Sequence, residues 1–261
     1  MKVERKCKII SKEMLGDAVF MVLSVGDMVR KTCKGPGQFV HIKCGEGLLL
    51  RRPISISSYM PGMPDDLISI VFEVRGEGTQ WLSERQEGED LDVLGFAGNG
   101  FPIAPKHRCL LVGGGIGIPP MRGCAQHTQG RSTAILGGRS ADKIILKNCF
   151  EEECAKVMVA TDDGSMGHHG FADALVRQEL EQDSKYDYVL ACGPKPMLRN
   201  IAKVAEEFGV PCLVSMEERM GCGVGACVTC ACAIRVNGEK QYKRVCADGP
   251  VFDMREVLLD D

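Results

Sequence analysis

The chain has 261 residues, of which 44% are apolar, 26% charged and only 5% aromatic, with a formal net charge of -3. That length suits about two domains of roughly 100 to 150 residues with a small third; near-neutral charge and scarce rings argue against a nucleic-acid surface. Neither the N-terminal MKVERKCKII nor the most apolar run, CLLVGGGIGIPPM, has the character of a signal or membrane segment, so a cytoplasmic protein that binds neither nucleic acid nor membrane is expected.

In residues 1–103 short β-type runs (AVFMVLSV, GQFVHIKC, PISISSY, LISIVFEV and DLDVLGF) alternate with Gly, Pro, Asp and Glu clusters, which predicts an antiparallel barrel interrupted by one helix at GTQWLSER. LLLRRPISISS places two arginines before a proline and alternating serines. An arginine there can neutralise a pyrophosphate, and a strand hydroxyl can reach the edge of a ring system; the bland alternative is a solvated sheet edge. VRGEGTQWL leads through Thr79 into a helix, an arrangement that cradles phosphates, although Thr79 could serve only as a helix N-cap.

From residue 104 to 212 apolar runs, glycine turns and helix-like stretches alternate: RCLLVGGG, STAILGGR, KVMVATDDG, YDYVLACGP and PCLVSMEE, with a helix at 196–208. This predicts a parallel α/β sheet. Gly113, Gly114, Gly115 and Gly117 follow a strand and open a helix, where bare backbone can approach a pyrophosphate, although the run is not the spaced G-x-G-x-x-G. Asp162 and Asp163, near a ribose, would favour NAD over NADP, yet they do not sit at the usual acidic position. His168 and His169 read as loop residues rather than a metal pair.

The tail, 213–261, is small and cysteine-rich. Cys222, Cys227 and Cys230 give C-x4-C-x2-C, the spacing of plant-type [2Fe-2S] clusters, and Gly221, Gly223 and Gly225 would let a tight loop turn its N–H groups toward sulfur. Cys232 and Cys246 compete as fourth ligand. Asn237-Gly238 signals a two-residue turn; pairing Val236 with Glu239 carries Cys246 to a place opposite Thr229, beside Cys230, with a bulge or curl needed at the hairpin base. A structural zinc and buried free thiols are the alternatives. The other cysteines read as small buried apolar residues, and the fourteen together do not suggest a disulfide framework, which belongs to short secreted chains.

Arg52-Pro53-x-Ser55, Gly78-Thr79 and Gly98-Asn99-Gly100-Phe101, in this order, resemble the flavin-binding barrel of the ferredoxin-NADP reductase superfamily. That resemblance implies that Arg52, Pro53, Ile54 and Ser55 hold the FAD pyrophosphate and flavin, Gly78 and Thr79 the phosphates, and that Val71, Phe72 and Glu73 line the FAD through their main chain. GGGIGIPP and ACGPKPM resemble two loops of the same superfamily, which implies a contact role near nicotinamide and flavin for Cys192, with Gly193 and Pro194; core packing is an equal alternative for Cys192. EERMGCGVGACVTC and KRVCADGPVF, with RRPIS, GEGT, GGGIG and TDDGS, resemble the electron-transfer subunit of type B dihydroorotate dehydrogenase over nearly the whole chain. The implied ligands are Cys222, Cys227, Cys230 and Cys246.

The same resemblance implies a separate FMN-containing catalytic subunit that oxidises dihydroorotate in pyrimidine (UMP) biosynthesis, assembled with this chain as a dimer of heterodimers. Electrons would pass through the cluster to FAD and on to NAD. A flavin is the converter such a chain needs, since nicotinamide exchanges hydride and a cluster single electrons. No protein acid, base or nucleophile is required. Two alternatives keep part of this reading: a reductase subunit serving a ferredoxin or sulfite reductase, and a zinc-stapled nucleotide-binding regulator.

Overall fold

The computed structural model describes residues 3–259; the outermost ends of the expected first and third parts, 1–2 and 260–261, lie outside the described residues. Six strands close into an antiparallel barrel: β1 (Val3–Leu15), β2 (Ala18–Ser24), β3 (Phe39–Ile42), β4 (Arg52–Met60), β5 (Leu67–Glu73) and β6 (Asp90–Ala97), in the order β1-β2-β5-β4-β3-β6. Helix α1 (Met28–Thr32) lies between β2 and β3, and α2 (Glu77–Ser83) between β5 and β6. The five β-type runs form β2 to β6. β1 escapes the hydrophobic pattern because only Cys7 and Ile9 point fully inward, while Lys6 and Lys8 alternate with them on the solvent side.

β3 is unusual within the barrel: all four residues are buried. Val40 and Ile42 belong to the barrel interior, whereas Phe39, on the opposite face, packs into a core shared with the α/β sheet and the cysteine-rich tail. A strand with no wet face reads as continuous rather than alternating hydrophobicity, as GQFVHIKC does.

The second sheet comprises β7 (Cys109–Gly114), β8 (Thr133–Gly138), β9 (Lys156–Thr161), β10 (His168–His169), β11 (Tyr188–Cys192) and β12 (Cys212–Ser215), joined by a later strand, β15 (Val251–Asp253). Its order is β10-β9-β8-β7-β11-β12-β15, parallel except for β15, which runs antiparallel to β12. Alternation along β7 divides the cores. Cys109 and Leu111 pack with α3 (Ile118–Thr128) and α4 (Lys147–Glu153), and Leu110 and Val112 with α5 (Ala172–Gln182) and α6 (Lys195–Glu207). His168 and His169 form a two-residue edge strand rather than a loop, and both are exposed. Among the described residues no helix is long and apolar enough to cross a membrane.

The tail contains a hairpin, β13 (Ala231–Val236) and β14 (Glu239–Arg244), with Val236 opposite Glu239 and Ala231 opposite Arg244. The chain then returns through β15 to the large sheet. The side chains of Cys230, Cys232, Ile234, Val245, Cys246 and Phe252 join the core under α5 and α6, so the tail is continuous with the nucleotide half.

Phe101 ties barrel to sheet. It is 1% exposed and shares a core with Val71 of the barrel and Ile118, Met121 and Cys124 of α3. Phe101→Ala should therefore destabilise the chain by about 3–5 kcal/mol through the cavity it leaves, read as a lower denaturation midpoint; an unchanged midpoint would mean that this joint carries little stability.

Candidate functional site

Three segments of the barrel converge near the start of α2. The two adjacent arginines separate in role. Arg51 donates to the carboxylate and carbonyl of Asp92 at 2.9 and 3.0 Å and to the carbonyl of His41 at 3.4 Å, with Glu4 also paired to it, so it fastens β3 to β6. Arg52 instead donates to the nearby Leu50 carbonyl, and its guanidinium lies against Gly78: a Cβ there would stand 2.3 Å from Arg52 Nε. This leaves a cation beside the first turn of α2, whose leading N–H groups have no acceptor within the helix. Thr79 is spoken for locally. Its Oγ1 accepts from the N–H groups of Arg75 (2.9 Å) and Gly76 (3.2 Å) and donates to the Gly76 carbonyl (3.0 Å), which shapes the loop.

Along β4 the side chain of Ile54 enters the barrel core, so chiefly its main chain is left for a ligand, while Pro53 and Ser55 lie on the partly open face. Val71 and Phe72 are likewise buried, and Glu73 pairs with Arg75 at 2.6 Å. Glu73, Gly115, Ile116 and Lys143 line one narrow cleft between barrel and sheet, with Asp17 ion-paired to Lys143 at its rim. A larger hollow around Arg5, Arg30 and Lys31 shares no residue with these segments, and its cations are paired with Asp27 and Asp66.

The sheet order reverses between β7 and β11, and ligands of open α/β sheets bind at such a switch point, outside the carboxyl ends of the strands. Both predicted loops sit there. Gly113 pairs with Cys192 across the strands, and a Cβ on Gly117 would meet the Cys192 carbonyl at 2.3 Å, so this approach requires glycine. Gly114 and Gly193 adjoin Met197, and Pro194 precedes α6. Burial pushes the Cys192 thiol up to about 12, against a hydrogen bond from Ser215 that lowers it, so this thiol stays neutral. Asp163 accepts from the N–H (2.9 Å) and hydroxyl (2.6 Å) of Ser165, and Asp162 stands exposed at the end of β9.

In the tail, the Sγ of Cys222 accepts N–H bonds from Val224 (3.4 Å), Ala226 (3.3 Å) and Cys227 (3.4 Å). The Sγ of Cys227 accepts from the N–H of Cys222 (3.4 Å) and the hydroxyl of Thr229 (3.2 Å). Such donors favour thiolate. Burial raises the Cys222 thiol, but the N–H groups of Cys227, Val224 and Ala226 outweigh it and the net shift is downward; Thr229 and the Cys222 N–H bring Cys227 down to about 6. On the other side the N–H of Cys246 donates to Cys230 Sγ at 3.4 Å, and the Val245 N–H to the Cys230 carbonyl at 2.9 Å. The hairpin register thus continues past β14 and curls in a turn, as the spacing required.

Among the described residues no three His, Cys, Asp or Glu side chains gather as a single-ion site; hydrogen bonds link Cys222 with Cys227, and the backbone N–H of Cys246 with the sulfur of Cys230. Two thiolates per metal is what a binuclear cluster needs. Gly223 and Gly225 both have positive φ (64° and 87°), and side chains there would collide with His41 and Ala247. Cys232 points into the core opposite Lys243, its thiol raised by burial to about 11. The cysteines outside the tail are buried or half-buried and free. Sequence reasoning named Thr229 only as the register partner of Cys246 and did not separate Arg51 from Arg52; the Thr within CVTC was the available signal for the first.

Residues 217–258 match the iron-sulfur cluster binding domain of dihydroorotate dehydrogenase B, and residues 111–203 an oxidoreductase NAD-binding domain. The dihydroorotate dehydrogenase B (NAD(+)) electron transfer subunit of Bacillus caldolyticus is 40% identical, covering 96% of this chain and 97% of the relative, and that of Bacillus velezensis 38% identical, covering 95% and 96%. The chain belongs to the dihydroorotate dehydrogenase B electron transfer subunit family. As a member of that family it is an oxidoreductase subunit. This chain is also similar, at 30% identity with a TM-score of 0.82 over 98% of this chain and 91% of the other, to the NADH-dependent reduced ferredoxin-NADP oxidoreductase structure. A ferredoxin reductase of carbazole 1,9a-dioxygenase, 21% identical with a TM-score of 0.65 over 80% and 67%, shares the fold.

In this electron transfer subunit, before cluster loading, the hydrogen-bonded anion of Cys227 is the favoured form, so its alkylation should rise as pH passes about 6 rather than the ordinary 9.0. Peptide mapping after iodoacetamide treatment across pH measures this, and Thr229→Val should move the midpoint upward. A midpoint near 9 in both proteins would rule out the thiolate-stabilising loop.

Proposed function

We propose that this chain carries electrons from an FMN-containing catalytic subunit, which oxidises dihydroorotate to orotate, through a [2Fe-2S] cluster and FAD to NAD+, in the cytoplasm and as a dimer of heterodimers. In this reading residues 1–103 serve FAD, 104–212 NAD and 213–261 the cluster. A bound flavin supplies the conversion between hydride transfer and single-electron transfer.

The chain's own residues supply positions. Arg52 provides the cation for a pyrophosphate, Pro53 and Ser55 with the main chain of Ile54 the flavin wall, Gly78 and Thr79 the phosphate loop, and the main chain of Val71, Phe72 and Glu73 the floor. Gly113, Gly114, Gly115 and Gly117, with Cys192, Gly193 and Pro194, admit the nicotinamide nucleotide at the switch point; a neutral Cys192 neither repels its phosphates nor moves a proton. Cys222, Cys227, Cys230 and Cys246 hold the metal centre. The observation that carries the reading is the set of N–H and hydroxyl donors on the Cys222 and Cys227 sulfurs, with the Cys246 N–H on the Cys230 sulfur, in a loop whose Gly223 is packed against His41, a residue of β3 paired with Pro53 of the proposed flavin strand. Among the described residues the cysteines form no disulfides, which suits a reducing compartment.

The likeness to the NADH-dependent reduced ferredoxin-NADP oxidoreductase favours a second reading, in which the cofactors are the same and the partner is ferredoxin-linked. Addition of the purified FMN subunit with dihydroorotate should reduce NAD+ under the first reading and give no NADH under the second.

In the visible spectrum of the anaerobic protein, NADH should bleach flavin and cluster absorbance together. Cys222→Ser and Cys246→Ser should lose the cluster bands and keep FAD, and Cys232→Ala should keep both; persistence of the bands in Cys246→Ser with their loss in Cys232→Ala would exchange the fourth ligand. NADH should also reduce the protein faster than NADPH. Equal rates would remove any discriminating role for Asp162 and Asp163.

A further inference from the structure

The fourth sulfur is delivered by residues 244–249, a turn between the end of β14 and the start of β15. Its order comes from one ion pair. The carboxylate of Asp248 accepts from the backbone N–H of Arg244 (2.8 Å), from its Nε (2.9 Å) and from its Nη2 (3.0 Å), while the Arg244 carbonyl accepts from the N–H groups of Ala247 (3.1 Å), Asp248 (2.8 Å) and Gly249 (3.2 Å). Cys246 is enclosed by this ring of bonds. The remaining guanidinium arm, Nη1, donates to the carbonyl of Gly225 at 2.9 Å, within the loop between Cys222 and Cys227. Ala247 completes the contact, since a Cβ on Gly225 would stand 2.8 Å from its methyl group.

The turn is also fastened to the barrel. Asn99, in the Gly98-Asn99-Gly100 corner after β6, donates through Nδ2 to the carbonyls of Ala247 and Asp248 (both 3.2 Å) and through its N–H to the Gly249 carbonyl (2.6 Å), and its Oδ1 accepts from Lys34 (2.9 Å). Gly98 is pressed against Pro250 and the Gly249 carbonyl.

A partly exposed Arg–Asp pair ordinarily contributes little to stability. Here the pair is bidentate, which fixes direction as well as charge, and its third arm reaches the other ligand-bearing segment. We propose that Arg244 is a positioning residue for the metal centre: clamped by Asp248, it holds the Cys246 turn in register with the Cys222–Cys230 loop, and Asn99 anchors that unit to the flavin barrel. This rests on the cluster reading above. Arg244 touches no reacting atom, and it acts through the backbone of both segments.

The test uses the full chain loaded with FAD and cluster. Iron and acid-labile sulfide per FAD are measured first, then the rate at which an iron chelator bleaches the cluster and the electron paramagnetic resonance spectrum after dithionite reduction. Arg244→Gln and Asp248→Asn should each keep wild-type FAD content and lose the cluster about 10- to 100-fold faster, the scale seen when groups supporting metal ligands are removed. Arg244→Lys, which keeps the charge without the fork, should fall nearer to Gln than to wild type, and Asn99→Ala should broaden or shift the resonance with FAD retained. Wild-type bleaching and resonance in both Arg244→Gln and Asp248→Asn would overturn the proposal, and full rescue by Lys would overturn its geometric part. A wild-type chain without iron and sulfide would instead refute the cluster reading itself, and with it any latch.

Discussion

β3 is enclosed on both sides, and the arrangement of the molecule follows from that. Its inner face, Val40 and Ile42, closes the barrel; its outer face, Phe39 and His41, is covered by the tail and the sheet core. A four-residue strand cannot be hydrated on either side, so three parts of the chain must meet on it if its burial is to be satisfied. The strand beside it, β4, carries Arg52 to Ser55, and Gly223 lies against His41 of β3. Two proposed cofactor sites are therefore separated by roughly the spacing of paired strands, about 5 Å, plus the side chains between them. Such a separation is set by ladder hydrogen bonds rather than by a linker.

The electrostatics of the tail follow a related constraint. Thiolates close together repel, and around Cys222 and Cys227 the loop answers with N–H groups aimed at sulfur and a Thr hydroxyl. Arg244 is a nearby cation, and its charge is largely committed to Asp248, whose carboxyl it holds down at about 2. Neutral donors stabilise thiolate without adding a mobile charge next to a site that would change its own charge on reduction.

Much of this was legible in the sequence because it is local. The cysteine spacing, the Asn237-Gly238 turn and the Val236 to Glu239 pairing are short-range signals, and together they carry Cys246 to a place opposite Thr229, beside Cys230. The glycine loop after β7 and the runs of β2 to β6 were equally plain. β1 was hidden because its outward face is charged and only two of its side chains are fully inward. What sequence could not distinguish was Arg51 from Arg52, since their different roles depend on Asp92 and Gly78, distant in the chain. The same holds for Asn99: its motif was visible, but its grip on residues 247–249 spans about half the chain and follows only from the closed fold. The occupied hydroxyl of Thr79 supports the capping alternative as much as the phosphate one.

β15 has a consequence for solubility. The large sheet ends at one side in the two-residue β10 and at the other in the three-residue, antiparallel β15. Without β15 the edge of β12 would offer unpaired N–H and carbonyl groups to another chain, and short terminal strands are a common defence against such pairing. The segment that follows the cysteine hairpin is thus also a stopper, which keeps the nucleotide-binding sheet from extending into its neighbour.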